Sequence, residues 1–276
     1  MKKIMLSLTL IAATIAAAAQ IKMPAPSPTQ TIKQDFGIGS IELTYSRPGV
    51  KGRKIFGDHE PYNEIWRTGA NAATKIKFTD AVEIGGKKMD SGTYVIYTIP
   101  NKNTWEVIIN KGLTNWGADG YTDSLDIVRF KVPAMKTGEK IETMTMQFAN
   151  VKAESCDLHI MWENTAIAIP IKTNIVDKLR ASFEKEMLGE KKPYWAATQF
   201  YFEYDKNNVK ALECVKGGIE GNKKAFWMYL YKAKIEKEMG DKVSAIASAK
   251  TALELAKVAK NDTYVRDSEA LIKALK

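Results

Sequence analysis

The chain has 276 residues, 45% of them hydrophobic, and a formal net charge of +9. That length allows one large domain or two modest ones, and the apolar content excludes a disordered tail. The basic excess is diffuse, with no cationic stripe interleaved with stacking aromatics, so it speaks against a nucleic-acid partner.

Residues 1–19 read as a secretory leader: Lys2-Lys3 form its positive start, Ile4 to Ile15 its apolar core and Ala17-Ala18-Ala19 its cleavage site. The apolar run falls short of the roughly 20 residues that span a bilayer, so no transmembrane segment is expected. The expectation is an exported protein, periplasmic or secreted. Export permits a disulfide between Cys156 and Cys214, but the two fall in different predicted domains and read more readily as buried, inert thiols. With His59 and His159 as the only histidines, no metal site and no cofactor is expected.

Residues 20–30 form a Pro-rich lead-in. Ile41, Leu43 and Tyr45 then alternate with polar residues, the pattern of a half-buried strand, and Pro48-Gly49 stops it. A second strand begins near Thr74. Gly85-Gly86 between Ala81–Ile84 and Lys87–Met89 signals a two-residue hairpin. Strands follow at Thr93–Ile99, Thr104–Asn110, Asp126–Val132, Ile141–Phe148, Leu158–Trp162 and Ala166–Ile171, with a Gly/Asp-rich loop from Trp116 to Ser124. Many short strands with regular turns predict an all-β antiparallel sandwich or open barrel over residues 20–173.

At Asn174 the period changes. Ile175, Leu179 and Phe183 recur every four residues, and the chain from Pro193 onward reads as helical. Ala211-Leu212 falls on Ala245-Ile246, and Gly218 on Ala252, at a spacing of 34 residues, the period of tetratricopeptide repeats. Residues 174–276 are therefore expected to form an all-α tetratricopeptide-like domain, suited to a protein or peptide partner or to covering the sheet.

The stretch from Tyr45 to Phe78 carries the candidate chemistry: Arg47, Arg53 and Arg67, the acids Glu60 and Glu64, His59, and the aromatics Phe56, Tyr62 and Trp66. Guanidinium forks suit anionic or sugar-like ligands, but the plainer reading is that they tie a long loop to backbone carbonyls or to Glu60, Glu64 and Asp126. Trp105 and Trp162 alternate with core positions and are expected inside, whereas Trp116, in a Gly-rich loop, is expected to be partly exposed. The candidate ligand-binding set is Arg47, Arg53, Tyr62, Glu64, Trp66, Arg67, Asn71, Trp116 and Asp126. No nucleophile elbow, Walker or dinucleotide fingerprint is present.

The runs SRPGVKGRKIFG, PYNEIWRTGANAATKIKF and SGTYVIYTIP resemble a family of exported bacterial proteins known as domain of unknown function 2911, over roughly Pro26 to Ile171. Arg47, Pro48, Gly52, Arg53, Pro61, Tyr62, Trp66, Arg67, Gly69, Ala70 and Asn71 stand at the matching points. The resemblance implies a compartment and a domain layout, including a helical tail seen in some members, but no activity. The functional expectation is non-enzymatic binding of a small polar or glycan-like ligand by the β domain, with the helical tail making protein contacts. The alternatives are a hydrolase acting on a polar or glycan substrate through Glu60, Glu64 or Asp126, and an envelope scaffold without a ligand.

Overall fold

Two antiparallel sheets face each other across a single apolar core, and six helices follow them in the chain. The computed structural model describes residues 23–276; the expected leader lies outside the described residues. The larger sheet has the order β1-β2-β3-β6-β7-β8 and the smaller β5-β4-β10-β9. Their bounds are β1 Thr29–Phe36, β2 Gly39–Ser46, β3 Thr74–Phe78, β4 Val82–Ile84, β5 Lys87–Met89, β6 Gly92–Ile99, β7 Thr104–Asn110, β8 Asp126–Pro133, β9 Met135–Ala149 and β10 Ser155–Lys172. The sheets stay open, so the sandwich rather than the barrel is realised.

Period-two alternation places the core. Ile41, Leu43 and Tyr45 of β2, Ile76 and Phe78 of β3, and Trp105, Val107 and Ile109 of β7 all face the smaller sheet. Trp105 and Trp162 are each 1% exposed, as expected of core residues. The β4–β5 hairpin turns at Gly85-Gly86 with φ of +59° and +77°, a pair of left-handed residues that matches the strand twist.

Three strand expectations are corrected. Residues 29–36, placed partly in the lead-in, form β1, which pairs with β2 from Thr29↔Ser46 to Phe36↔Gly39. The expected strand Ile141–Phe148 extends back to Met135. The segments Leu158–Trp162 and Ala166–Ile171 are one strand, β10, bent by register shifts around Glu163, whose φ is +55°. Thr165, left between two expected strands, simply continues the ladder opposite Lys136.

The helical part comprises α1 Val176–Glu186, α2 Tyr194–Gln199 running into a π turn at Phe200–Tyr204, α3 Asn208–Gly221, α4 Phe226–Glu238, α5 Lys242–Val258 and α6 Asp262–Ala274. The 34-residue period is visible in the caps. Asn207 accepts from the Lys210 amide and opens α3; Asp241 accepts from the Ser244 amide and opens α5. Ala245, Ala249, Ala252 and Ala256 make a fully buried stripe along α5, which lets it lie close to its neighbours α4 and α6. Between α4 and α5, Lys232 Nζ sits 2.6 Å from the buried Glu236 carboxylate, and Ser248 Oγ donates to the same carboxylate at 2.6 Å. Cys156 and Cys214 are both buried and unbridged, so the disulfide alternative falls away.

Candidate functional site

The connection from β2 to β3 plugs and seals the sandwich. Its first part leaves the larger sheet and runs beside β9 of the smaller one. The Val50 amide donates to the Glu142 carbonyl at 2.7 Å, and the Met144 amide donates to the Pro48 carbonyl at 2.9 Å. Arg47 fixes this crossing by donating from Nε to the Met144 carbonyl and from Nη2 to Thr145 Oγ1, both at 2.9 Å. Arg53 donates to the Gly49 carbonyl at 2.7 Å, the Val50 carbonyl at 3.0 Å and His59 Nε2 at 2.7 Å. Both guanidinium groups are thus matched by the protein's own acceptors. For these two arginines the tethering alternative holds.

The middle of the connection then enters the core. Phe56 and Trp66 are each 4% exposed. Phe56 meets Trp105 edge-on at 4.7 Å between centroids and Trp162 at 6.0 Å, and Trp66 stacks on Trp162 at 5.9 Å. Trp66, a candidate ligand residue, is therefore a core residue; its indole N–H donates to the Gly69 carbonyl at 3.1 Å. It also pairs with Thr98 of β6 through amide-to-carbonyl bonds of 2.8 and 3.0 Å. The ligand-binding role gives way because an isolated stretch of this length needs an apolar anchor, and a large indole supplies it.

Glu60 is held next to this anchor with its side chain only 17% exposed, and His59 Nε2 lies 3.9 Å from its carboxyl. Burial pushes the Glu60 carboxyl up to about 7, while the Arg67 and Arg53 guanidinium groups pull in the opposite direction without compensating. Partial burial and the neighbouring arginines lower His59, consistent with a neutral ring that accepts from Arg53. Tyr62 and Glu64 are exposed at the rim of the same connection, and neither is drawn into this cluster by a hydrogen bond.

Asp126 lies elsewhere, at the start of β8. Its Oδ1 accepts from Asn110 Nδ2 at 2.7 Å, and its Oδ2 accepts from Tyr121 O–H and Arg129 Nε, each at 2.7 Å. Both oxygens are committed to this network, so Asp126 neutralises Arg129 rather than any of the three loop arginines. The Tyr121 phenol is pushed up to about 12, first by burial and then by the Asp126 carboxylate it donates to.

The remaining candidates converge on the outer face of the larger sheet. Trp116 is 67% exposed and stands over a groove of about 300 Å³. The groove is lined by Thr29, Thr44, Ser46, Asn71 and Lys75 together with Tyr45, Ala72 and Ala73, and the buried Ser46 hydroxyl is already engaged by Thr29 and Asn71. Asn71, at φ +59°, donates to Ser46 Oγ and to the Ser27 carbonyl, both at 3.2 Å, and a bridge between Ala72 and Trp116 sets the indole beside it. Arg67 runs alongside: its only hydrogen bond among the described residues is a long one from Nε to the Gly69 carbonyl, 3.4 Å. Its guanidinium packs so tightly on Gly117 that a Cβ there would meet Nη1 at 2.8 Å, and Gly117 itself adopts φ +70°. Glycine at this position brings the indole-bearing loop and Arg67 together.

Compared with known proteins, the chain matches the family model described as "Protein of unknown function (DUF2911)" over residues 27–171, from just before β1 to the end of β10. The chain belongs to the DUF2911 family. No curated protein and no solved structure matches it. The DUF2911 match covers the whole β sandwich and stops where α1 is about to begin, so the groove, the Glu60 cluster and the Asp126 network all lie inside it.

Of the residues expected in one site, then, this DUF2911 chain gathers Asn71 and Trp116 on the groove and sets Arg67 beside them. Arg47, Arg53, Trp66 and Asp126 serve the fold, and Tyr62 and Glu64 stay at the surface. The groove residues that sequence reasoning missed are Thr29, Thr44, Ser46 and Lys75. Thr44 and Ser46 alternate with the inward Leu43 and Tyr45, and Lys75 alternates with the inward Ile76, so the signal was available, although Ser46 itself is buried. Thr29 was hidden because β1 had not been recognised.

Proposed function

We propose that the β domain binds a small polar, glycan-like ligand in the Trp116 groove and performs no chemistry on it. The observation that carries this reading is the exposed indole of Trp116 set over a row of hydroxyl and amide side chains. An apolar ring face stacks on an aromatic, while ring hydroxyls exchange hydrogen bonds with Thr29, Thr44 and the side-chain carbonyl of Asn71, whose amide N–H is already given to Ser27 and Ser46. Hydrolysis is less well supported: it needs two carboxyls facing one bond, and Asp126 has both its oxygens occupied. In this reading the protein acts outside the cytoplasm after removal of residues 1–19, and its helical part offers a surface to a protein partner.

The test is a titration of the purified chain with a panel of short oligosaccharides, followed by calorimetry and tryptophan fluorescence. At least one sugar should bind, and Trp116→Ala should weaken it by about tenfold or more with an unchanged melting temperature, because the side chain contributes little to the core. Absence of binding across the panel, or equal binding by the variant, overturns the reading.

A further inference from the structure

The outward rungs of the larger sheet are unevenly charged. On one rung Glu42 stands opposite Lys33 on β1 and Lys77 on β3, an acid between two bases. On the next rung Lys75 stands opposite Thr44 on one side and Val95 on the other, with no acid directly opposite. Lys75 is half-buried, lines the Trp116 groove and is the one lining residue that carries a charge at neutral pH. Beside the groove, Arg67 gives neither Nη to a protein acceptor among the described residues. Neither cation has a carboxylate within 4.0 Å among the described residues.

A partly desolvated ammonium with no counter-charge favours an anionic visitor over a neutral one. We infer that the groove is selective for an acidic glycan, a sugar whose ring carries a singly charged carboxylate or sulfate ester. Trp116 stacks on the ring, Thr29, Thr44 and the Asn71 side-chain carbonyl take its hydroxyls, and Lys75 pairs with the anionic substituent, with Arg67 adding to the local positive field. This selectivity rests on the glycan-binding reading above and adds the charge of the ligand to it.

The inference is separable by experiment. Short oligouronates and their methyl esters have the same shape and differ in charge, and sulfated oligosaccharides and their desulfated forms do the same for the other anion. Calorimetric titration of the full chain with the four sets should show an anionic set binding about three- to tenfold more tightly than its neutral partner. That advantage should shrink as salt is raised from 50 to 500 mM, because a partly exposed pair is screened. Lys75→Met should abolish the preference, bringing the ratio of charged to neutral affinity to about one. Preference for the uronate over the sulfate set, or the reverse, identifies the anion. Equal binding of charged and neutral forms, or a preference that survives Lys75→Met, overturns the charge assignment and leaves the glycan reading intact. If no sugar of any set binds, both readings fall.

Discussion

Replacing Glu60 with glutamine should make the protein more stable in alkali and leave it unchanged in acid. The Glu60 carboxyl is mostly enclosed by the β2–β3 connection, and burial raises it from 4.5 to about 7. A raised folded value means that the native state keeps a proton which the unfolded chain has already released. The stabilising contribution of the protonated group is therefore complete below pH 4.5 and is lost as the pH climbs through about 7. At about 1.4 kcal/mol per pH unit, the span amounts to about 3 kcal/mol of stability withheld at pH 8. Glutamine has the same shape and no charge to desolvate, so Glu60→Gln should match the parent at pH 4.5 and exceed it by about 3 kcal/mol at pH 8. Urea denaturation of both proteins across that range, followed by tryptophan fluorescence, measures the difference. Parallel stability curves from pH 4.5 to 8 would refute the reasoning, since they would mean that the carboxyl is solvated or that Arg53 and Arg67 already neutralise it.

Two further outcomes follow from buried groups away from the groove. Lys232→Met removes the ammonium that pairs with Glu236 and leaves a carboxylate whose side chain is 6% exposed with Ser248 alone. It should cost about 3–5 kcal/mol in denaturant titration, and Lys232→Met with Glu236→Met should recover most of that loss. The Cys156 and Cys214 thiols are pushed up to about 12 and about 11 by burial, so neither should react with Ellman's reagent in the native protein and both should react once urea unfolds it.

The two architectures were readable because each obeys a simple period. Ile41, Leu43 and Tyr45 announce β2 by alternation, Gly85-Gly86 announces its hairpin, and the 34-residue spacing announces the paired caps Asn207 and Asp241. Strand β1 escaped notice because it is an edge strand whose inward positions include Gln30 and Gln34 as well as Ile32, so its apolar signal is broken. Gln30 earns its inward position through the Tyr45 hydroxyl, which donates to it at 2.8 Å. The arginines were legible as a cluster but not as individuals. Proximity in sequence put Arg47, Arg53 and Arg67 together, but Arg47 is matched by Met144 and Thr145 and Arg67 packs on Gly117, segments that only the fold brings near, whereas Arg53 is held locally by Gly49, Val50 and His59. Asp126 is the opposite case: its partner Arg129 lies only three residues along its own strand.

The crossing of residues 47–50 onto β9 also bears on how the protein folds. The Arg47 bonds join segments separated by 97 and 98 positions, so the smaller sheet cannot have its flank covered until nearly the whole β domain has been made and brought together. Until that closure, β9 presents an open row of amides and carbonyls to any neighbouring chain. A protein built this way spends its early life with one seam unstitched, and changes at Pro48, Val50 or Arg47 should be felt first as poor yield and clumping rather than as a lower melting point of the molecules that succeed.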